Sequence, residues 1–365
     1  MRIVITGGGT GGHIYPGLAI AEALRDLHPD AQVLFVGGDG LERRIVPQEG
    51  WPFRQVSAGR IRRGSVWQMP WALAVTAAGT AQALLILRAF RPHAVAATGG
   101  YAAAPVGTAA AALGVPLVVQ EQNLYPGATN RILARWATVV SVPHASVAAR
   151  FPGKAVVTGV PVRAKALQGD RIRGRRRFGL DERDFTMLVL GGSQGARSLN
   201  AAVVEMSVVL TAGPHVQILH QTGKDHVEWV GRQIAARPGS WRYVAVPYIE
   251  DVADAYACAD LVICRAGAST LAEISANGRP LIAVPYPHAA AGHQESNARL
   301  LESAGAAVVV LDRELSGRRL ADEVMALRSN PARLEAMAAA SRQMGRPDAA
   351  RRVAELVVAA ADRRT

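Results

Sequence analysis

The feature that most constrains this chain occurs twice: a short apolar strand that runs directly into a glycine turn. Arg2–Thr6 leads into Gly7-Gly8-Gly9-Thr10-Gly11-Gly12-His13, and Met187–Leu190 leads into Gly191-Gly192-Ser193-Gln194-Gly195-Ala196-Arg197. Strands of this kind are typical of βα units around a buried parallel sheet. Further candidate strands are Gln32–Val36, Ala94–Thr98, Leu117–Gln120 and Val139–Val142, then Gln217–Gln221, Arg242–Val246, Leu261–Cys264, Leu281–Val284 and Ala307–Val310. Helix-forming stretches separate them, as parallel crossovers require. The pattern therefore predicts an α/β chain with two doubly wound parallel-sheet domains in tandem. A length of 365 residues suits two cores, and 50% hydrophobic with 5% aromatic residues suits Ala/Val/Leu-rich layers better than a β-sandwich.

The expected domains are residues 1–162 and 163–340, with residues 341–365 forming a C-terminal helix that packs back toward the first domain. The boundary falls between Gly159-Val160-Pro161 and Phe178, a stretch holding Arg171, Arg173, Arg175, Arg176 and Arg177. This tract is either a solvated surface segment or an anion-binding run. The first reading is favoured, because charge runs are usually solvated faces.

A formal charge of +12 implies an anionic partner: nucleic acid, anionic lipid or a phosphorylated substrate. No nucleic acid is expected, since the basic residues are not interleaved with aromatics and no zinc spacing occurs. Two cysteines, Cys258 and Cys264, are too few for a disulfide framework and fit a reducing compartment. The start, Met1 to Gly7, is strand and turn rather than a signal peptide, so a cytoplasmic setting is expected. Val66 to Leu87 carries no charge and includes Trp67 and Trp71, with Arg60, Arg62, Arg63, Arg88 and Arg91 on its flanks. It reads either as a buried crossover helix or as a surface helix dipping its tryptophans into a membrane interface. Pro70, Gly79 and Gln82 argue against a spanning helix.

Six motifs carry chemistry. In the first turn, glycines permit close backbone approach and the helix start offers N–H groups to a phosphate. His13 follows at the sheet's carboxyl edge, either as a general base or as a helix cap. Thr98-Gly99-Gly100-Tyr101 is a further strand-to-glycine turn, and Gln120-Glu121-Gln122-Asn123 leaves a buried strand with polar groups that suit a ligand site. The turn at Ser193 is a second anion site. In Cys264-Arg265-Ala266-Gly267-Ala268-Ser269-Thr270-Leu271-Ala272-Glu273, a helix start favours a diphosphate, and Glu273 is placed either to bind ribose hydroxyls or to complement the helix dipole. His293-Gln294-Glu295-Ser296-Asn297-Ala298 offers an amide for sugar hydroxyls. No Asp-x-Asp pair is present to bridge a metal and a diphosphate. On these residues alone a nucleotide-sugar epimerase, a non-catalytic sugar-nucleotide scaffold and, more remotely, a nicotinamide enzyme remain alternatives to a transferase.

Together and in this order, the motifs resemble the MurG family from Thr6 to about Ala360. The resemblance implies a GT-B fold, two Rossmann-like domains facing across a cleft, with acceptor and membrane association in the N-terminal domain and the donor in the C-terminal one. It implies inverting transfer of N-acetylglucosamine from UDP-GlcNAc to the C4 hydroxyl of lipid I, giving lipid II for the cell wall. No cofactor is required, since UDP-GlcNAc is a substrate, and no metal is implied. His13 would be the base and Glu121 a supporting acid. Ser193 and the turn Ala268, Ser269, Thr270 and Leu271 would hold the diphosphate, with Ala272 also on the donor side, Glu273 the ribose, and Ile249 with Arg163 the uracil. Gln294 and Asn123 would contact the transferred sugar. Thr10, Gly11 and Gly12 match a donor-contact site that also faces the acceptor, with Gly99, Gly100 and Tyr101 on the acceptor side. Trp67 and Trp71 would meet an anionic membrane surface at the cytoplasmic face of the bacterial inner membrane, where other cell-wall or division proteins are further partners. Two positions depart from the pattern: Val160 replaces a usual Asn, and Gly292 a frequent acid.

Overall fold

The computed structural model describes residues 1–59, 69–192, 194–210, 215–236, 242–289 and 292–363. It comprises two compact units, Met1–Arg163 with Arg346–Thr365, and Ala164–Gly345.

In the first unit, β1 (Arg2–Gly7), β2 (Gln32–Gly37), β3 (Phe53–Gln55), β4 (Ala94–Gly99), β5 (Leu117–Gln120), β6 (Val139–Val142) and β7 (Ala155–Val157) form one sheet ordered β3-β2-β1-β4-β5-β6-β7. All its neighbours run parallel. The pleat sends alternate side chains to opposite faces. Ile3 and Ile5 join Leu18 and Leu24 of α1 (Gly11–Leu27), while Val4 joins the core on the other face. The remaining helices are α2 (Glu42–Gln48), α3 (Met69–Phe90), α4 (Ala103–Ala112), α5 (Ala128–Leu133) and α6 (Ala145–Ala148).

The apolar run expected at Val66–Leu87 lies mostly in α3, and Trp67 falls outside the described residues. Only one stripe of α3 is buried, Ala72, Gly79, Ala83 and Leu87. A Cβ on Gly79 would stand 1.7 Å from the Ser57 carbonyl oxygen, so the small residue is what lets α3 pass against the segment that follows β3. Trp71, Leu73 and Leu85 are 74%, 62% and 67% exposed, so α3 is not a fully buried core helix. By length and composition alone it is also apolar enough to cross a membrane.

The second unit repeats the plan. Strands β8 (Phe185–Leu190), β9 (Val216–Gln221), β10 (Arg242–Val246), β11 (Leu261–Arg265), β12 (Leu281–Val284) and β13 (Ala307–Val309) form a parallel sheet ordered β10-β9-β8-β11-β12-β13. Its helices are α7 (Arg171–Phe178), α8 (Arg197–Val209), α9 (Val227–Ala235), α10 (Val252–Cys258), α11 (Ala268–Ala276), α12 (His293–Ser303), α13 (Gly317–Arg328) and α14 (Pro331–Met344). After α14 the chain returns to the first unit as α15 (Ala349–Asp362), whose buried stripe Val353, Ala354, Val357, Ala360 and Ala361 shares a core with α1.

The arginine tract is α7, a capped helix rather than a free anion site. Asp170 caps it by accepting from Arg173 N at 2.6 Å, and Gly179 closes it at φ +63°. Arg171, Arg173 and Arg177 pair with Asp260, Asp254 and Asp251. The hydrogen bond from Arg173 holds the buried Asp254 carboxyl below its ordinary range.

Both sheets have the strand order in which successive crossovers reverse direction beside the first strand. Ligands of doubly wound sheets bind at that switch point, beyond the carboxyl ends of the strands. It lies between β1 and β4 in one unit and between β8 and β11 in the other, where the glycine turns stand.

Candidate active site

In the first unit, His13 is the third residue of α1 and reaches across to the end of β4. Its Nδ1 stands 2.9 Å from the Thr98 carbonyl oxygen, and the Gln122 amide lies 2.5 Å from the same nitrogen. A carbonyl oxygen only accepts, so with the proton on Nδ1 the ring's lone pair falls on Nε2, and the Gln122 side chain then turns its amide oxygen, not its NH2, toward Nδ1. Thr98 Oγ1 donates back to the His13 carbonyl at 2.7 Å, which locks the start of α1 to β4.

The Gly99-Gly100 turn passes too close to permit side chains. Their φ values are +95° and +79°, and a Cβ on Gly100 would sit 2.1 Å from the Gly8 carbonyl oxygen. Gly99 O in turn accepts from Gly8 N at 3.3 Å. Tyr101 covers the other turn, since a Cβ on Gly9 would meet its ring at 2.6 Å. Thr10 is exposed at the rim, while Gly11, Gly12 and His13 are half-buried behind it.

Beneath this turn lies Glu42, buried to 1% exposure, whose carboxylate accepts from Gly9 N at 2.9 Å and Gly38 N at 3.1 Å. The turn's Gly9 N–H is therefore held by the chain's own anion. Nothing in its own neighbourhood foretells this: Glu42 is an ordinary first-turn acid of the short helix α2.

Glu121 is also buried, and four donors surround it. Asn123 N and Nδ2 reach Oε1 at 2.8 and 3.2 Å, while Gly127 N and Asn130 Nδ2 reach Oε2 at 3.0 and 2.8 Å. This carboxylate acts as the hub of the loop that carries Gln122 and Asn123. Charge-assisted bonds of this kind are the strong ones, and together they fix the loop.

In the second unit the Gly191–Ala196 turn follows β8, and Ser193 lies outside the described residues. Gly192 and Gly195 have φ of +85° and +75°, and a Cβ on Gly195 would stand 2.0 Å from the Thr222 carbonyl oxygen. Gln221, at the end of β9, ties this turn to the Ile249 segment. Its Nε2 donates to Gly192 O at 3.1 Å, and its Oε1 accepts from Ile249 N at 3.0 Å.

Ala268, Ser269, Thr270, Leu271 and Ala272 form the first turn of α11, which begins at Gly267 without a side-chain cap. Helix starts carry unsatisfied N–H groups and positive potential. Glu273 follows, half-buried, with Oε2 accepting from Tyr256 Oη at 2.8 Å. Gln294, on α12, accepts at its Oε1 from Tyr286 N at 2.9 Å, which fixes its amide and assigns the donor role to its NH2.

Two arginines are engaged elsewhere. Arg265 bonds Asp312 at 2.7 Å, the Ser198 hydroxyl at 2.6 Å, and the carbonyls of Val284 and Pro285, so its charge is neutralised inside the unit. Arg163, counted by sequence with the second domain, closes the first unit, its guanidinium held between Glu22 of α1 and Glu49. Those two carboxylates drive its pKa further above the arginine range despite burial.

The comparisons agree with this arrangement. Residues 3–142 match the glycosyltransferase family 28 N-terminal domain, and residues 186–353 match the glycosyltransferase family 28 C-terminal domain. The chain is 43% identical to a UDP-N-acetylglucosamine–N-acetylmuramyl-(pentapeptide) pyrophosphoryl-undecaprenol N-acetylglucosamine transferase of Desulforudis audaxviator, over 98% of both chains. It is 44% identical to the enzyme of the same name from Moorella thermoacetica, again over 98% of both. The crystal structure of Acinetobacter baumannii MurG superposes with a TM-score of 0.78 at 31% identity, covering 98% of this chain and 99% of that one. A UDP-N-acetylglucosamine 2-epimerase of Listeria monocytogenes shares the fold at a TM-score of 0.68, but at 14% identity that likeness concerns fold alone. Two Rossmann-like units of the GT-B class and full-length identity to these transferases lead to one conclusion: the chain belongs to the MurG family of glycosyltransferases.

Proposed function

We propose that this chain is the inverting transferase that moves N-acetylglucosamine from UDP-GlcNAc to the C4 hydroxyl of lipid I, forming lipid II. The observation that carries this reading is identity above 40% along 98% of the chain to enzymes named for that transfer. The geometry supplies a mechanism. The proton on Nδ1 leaves the Nε2 lone pair of His13 to take the proton of the acceptor's C4 hydroxyl as that oxygen attacks C1 of the donor sugar. The C1–O bond to UDP breaks on the opposite face, and the electron pair leaves with the diphosphate. The starts of α8 and α11 stabilise the leaving group with backbone N–H groups. Gly99, Gly100 and Tyr101 hold the histidine side of the site, and Glu121 keeps Gln122 and Asn123 in register. Thr10, Gly11 and Gly12 line the rim, Ser193 and residues 268–272 take the diphosphate, and Glu273 the ribose. Ile249 and Arg163 serve the uracil, and Gln294 with Asn123 the sugar. The domains are assigned likewise: acceptor in the first, donor in the second.

Incubating the protein with UDP-GlcNAc and a lipid I analogue should yield the disaccharide product at the same rate with and without a chelator. Epimerised or hydrolysed UDP-GlcNAc in the absence of acceptor, and no disaccharide, would overturn the assignment. Loss of activity with chelator would instead overturn its metal-independence.

The reading includes a peripheral seat on the cytoplasmic face of the inner membrane, with other cell-wall or division proteins as partners. Its support is the exposed face of α3, where Trp71 stands 74% and Leu73 62% exposed, with Arg88 in the last turn of that helix and Arg91 just beyond it. Near an anionic surface each basic residue contributes about 1 kcal/mol. Replacing Trp67 and Trp71 by serine should weaken binding to phosphatidylglycerol-containing vesicles roughly tenfold per tryptophan, with activity on a soluble acceptor retained. Equal loss of both would show that the segment serves folding instead.

A further inference from the structure

The contact between Tyr256 and Glu273 gives α10 a task in the donor site. Tyr256 is 1% exposed and packs in the same core as Cys264, Ala266, Leu271 and Ile274. Its ring is therefore fixed by the core, and its hydroxyl position with it. That hydroxyl donates to Glu273 Oε2 at 2.8 Å, across 17 residues of sequence. Burial and the neighbouring carboxylate push the phenol well above its ordinary pKa, so it stays a donor at any physiological pH.

Glu273 follows the first turn of α11, half-buried, with three rotatable side-chain bonds. A glutamate so placed loses rotamer freedom when it must meet two vicinal hydroxyls in one geometry. A buried donor that anchors one carboxylate oxygen removes that freedom before any ligand arrives, which is what preorganisation of a binding group requires.

We infer that Tyr256 is a positioning residue that aims Glu273 at the donor's ribose hydroxyls and so sets the enzyme's preference for ribonucleotide over deoxyribonucleotide sugars. This rests on the assignment of Glu273 to the ribose. A hydroxyl that only filled the core would affect folding and all donors alike. A positioning hydroxyl affects the ribose contact selectively.

The test compares kcat/KM for UDP-GlcNAc and for its 2′-deoxy and 3′-deoxyuridine counterparts, with a lipid I analogue as acceptor. Wild type, Tyr256→Phe, Glu273→Ala and the double variant are measured. Tyr256→Phe should raise the KM for UDP-GlcNAc about tenfold, with the effect in KM rather than kcat, and should shrink the preference over a deoxy donor by a similar factor. In the Glu273→Ala background the same change should leave that preference unaltered. If Glu273→Ala keeps the wild-type preference, the ribose assignment of Glu273 fails. If Glu273→Ala loses it while Tyr256→Phe retains it, or if Tyr256→Phe lowers kcat/KM equally for every donor, the positioning role fails. Should the phenylalanine variant not fold, 3-fluorotyrosine placed at position 256 keeps the shape and strengthens the donor. An unchanged preference there would equally overturn the inference.

Discussion

The His13→Ala variant is expected to lose about two to four orders of magnitude in the rate of transfer, with UDP affinity intact. Nδ1 is committed to the Thr98 carbonyl, so the imidazole presents its basic nitrogen in one fixed tautomer and orientation. Alanine leaves no group that can accept the C4 proton, and a water molecule would have to do so from an unheld position. Two side-chain contacts, to Thr98 and Gln122, are lost as well, at about 1 kcal/mol each. That modest destabilisation separates the variant from one that merely unfolds. The measurement is the single-turnover rate at saturating UDP-GlcNAc with a lipid I analogue, alongside calorimetric titration with UDP. A rate within a few-fold of wild type would place the base elsewhere and leave His13 as the lock between α1 and β4.

Much of this arrangement was legible in the chain itself. The strand-to-glycine turns at Gly7 and Gly191 mark the first strand of each sheet, and the crossover helices then dictate parallel order. Two strands escaped notice, β3 and β7, each three residues long and at a sheet edge, where no periodicity can build up. The motif residues of the first unit do converge: Thr98, Gly99 and Gly100 enclose His13, and Gln122 touches it. The supporting shell was not legible, for a physical reason. Glu42, Gln221 and Tyr256 each act through one hydrogen bond or two to a partner distant in sequence, and nothing in their own neighbourhood distinguishes them from ordinary helix or strand residues. Arg163 is a similar case. The family resemblance assigns it beside the uracil, and no local pattern foretold that its guanidinium would also pair with Glu22 and Glu49 of its own unit.

Acidification from pH 6.5 to 4.5, largely above the ordinary carboxylate range, should loosen the second unit through a buried histidine, His220. It lies on β9 with no exposed surface, and burial pushes its pKa down to about 3. Its partners define the neutral form. Asn200 Nδ2 donates to Thr222 O at 2.8 Å, so Asn200 Oδ1 faces His220 and accepts from its Nε2–H at 3.0 Å. Nδ1 then accepts from the Tyr243 hydroxyl, whose own pKa burial raises. A second proton on the ring would turn that acceptor into a donor facing a donor. The folded state therefore keeps His220 neutral down to about pH 3, while the unfolded chain binds a proton below about 6.5. The unfolded state holds more protons in that window, so stability rises with pH there. The contribution is complete above pH 6.5 and is lost as pH falls toward 3, at about 1.4 kcal/mol per unit. The loss is felt near the donor turn, because Asn200 binds Thr222 O, the atom against which Gly195 is packed. Opening free energies of the Val216–Gln221 amides, from hydrogen exchange corrected for intrinsic rates, should fall along this slope between pH 6.5 and 4.5. In His220→Gln, whose amide can still donate to Asn200 and accept from Tyr243, the slope should flatten by about 1.4 kcal/mol per unit, with a lower plateau at pH 7.5. Parallel slopes in the two proteins would mean that acid acts through other groups and that His220 has no part in it.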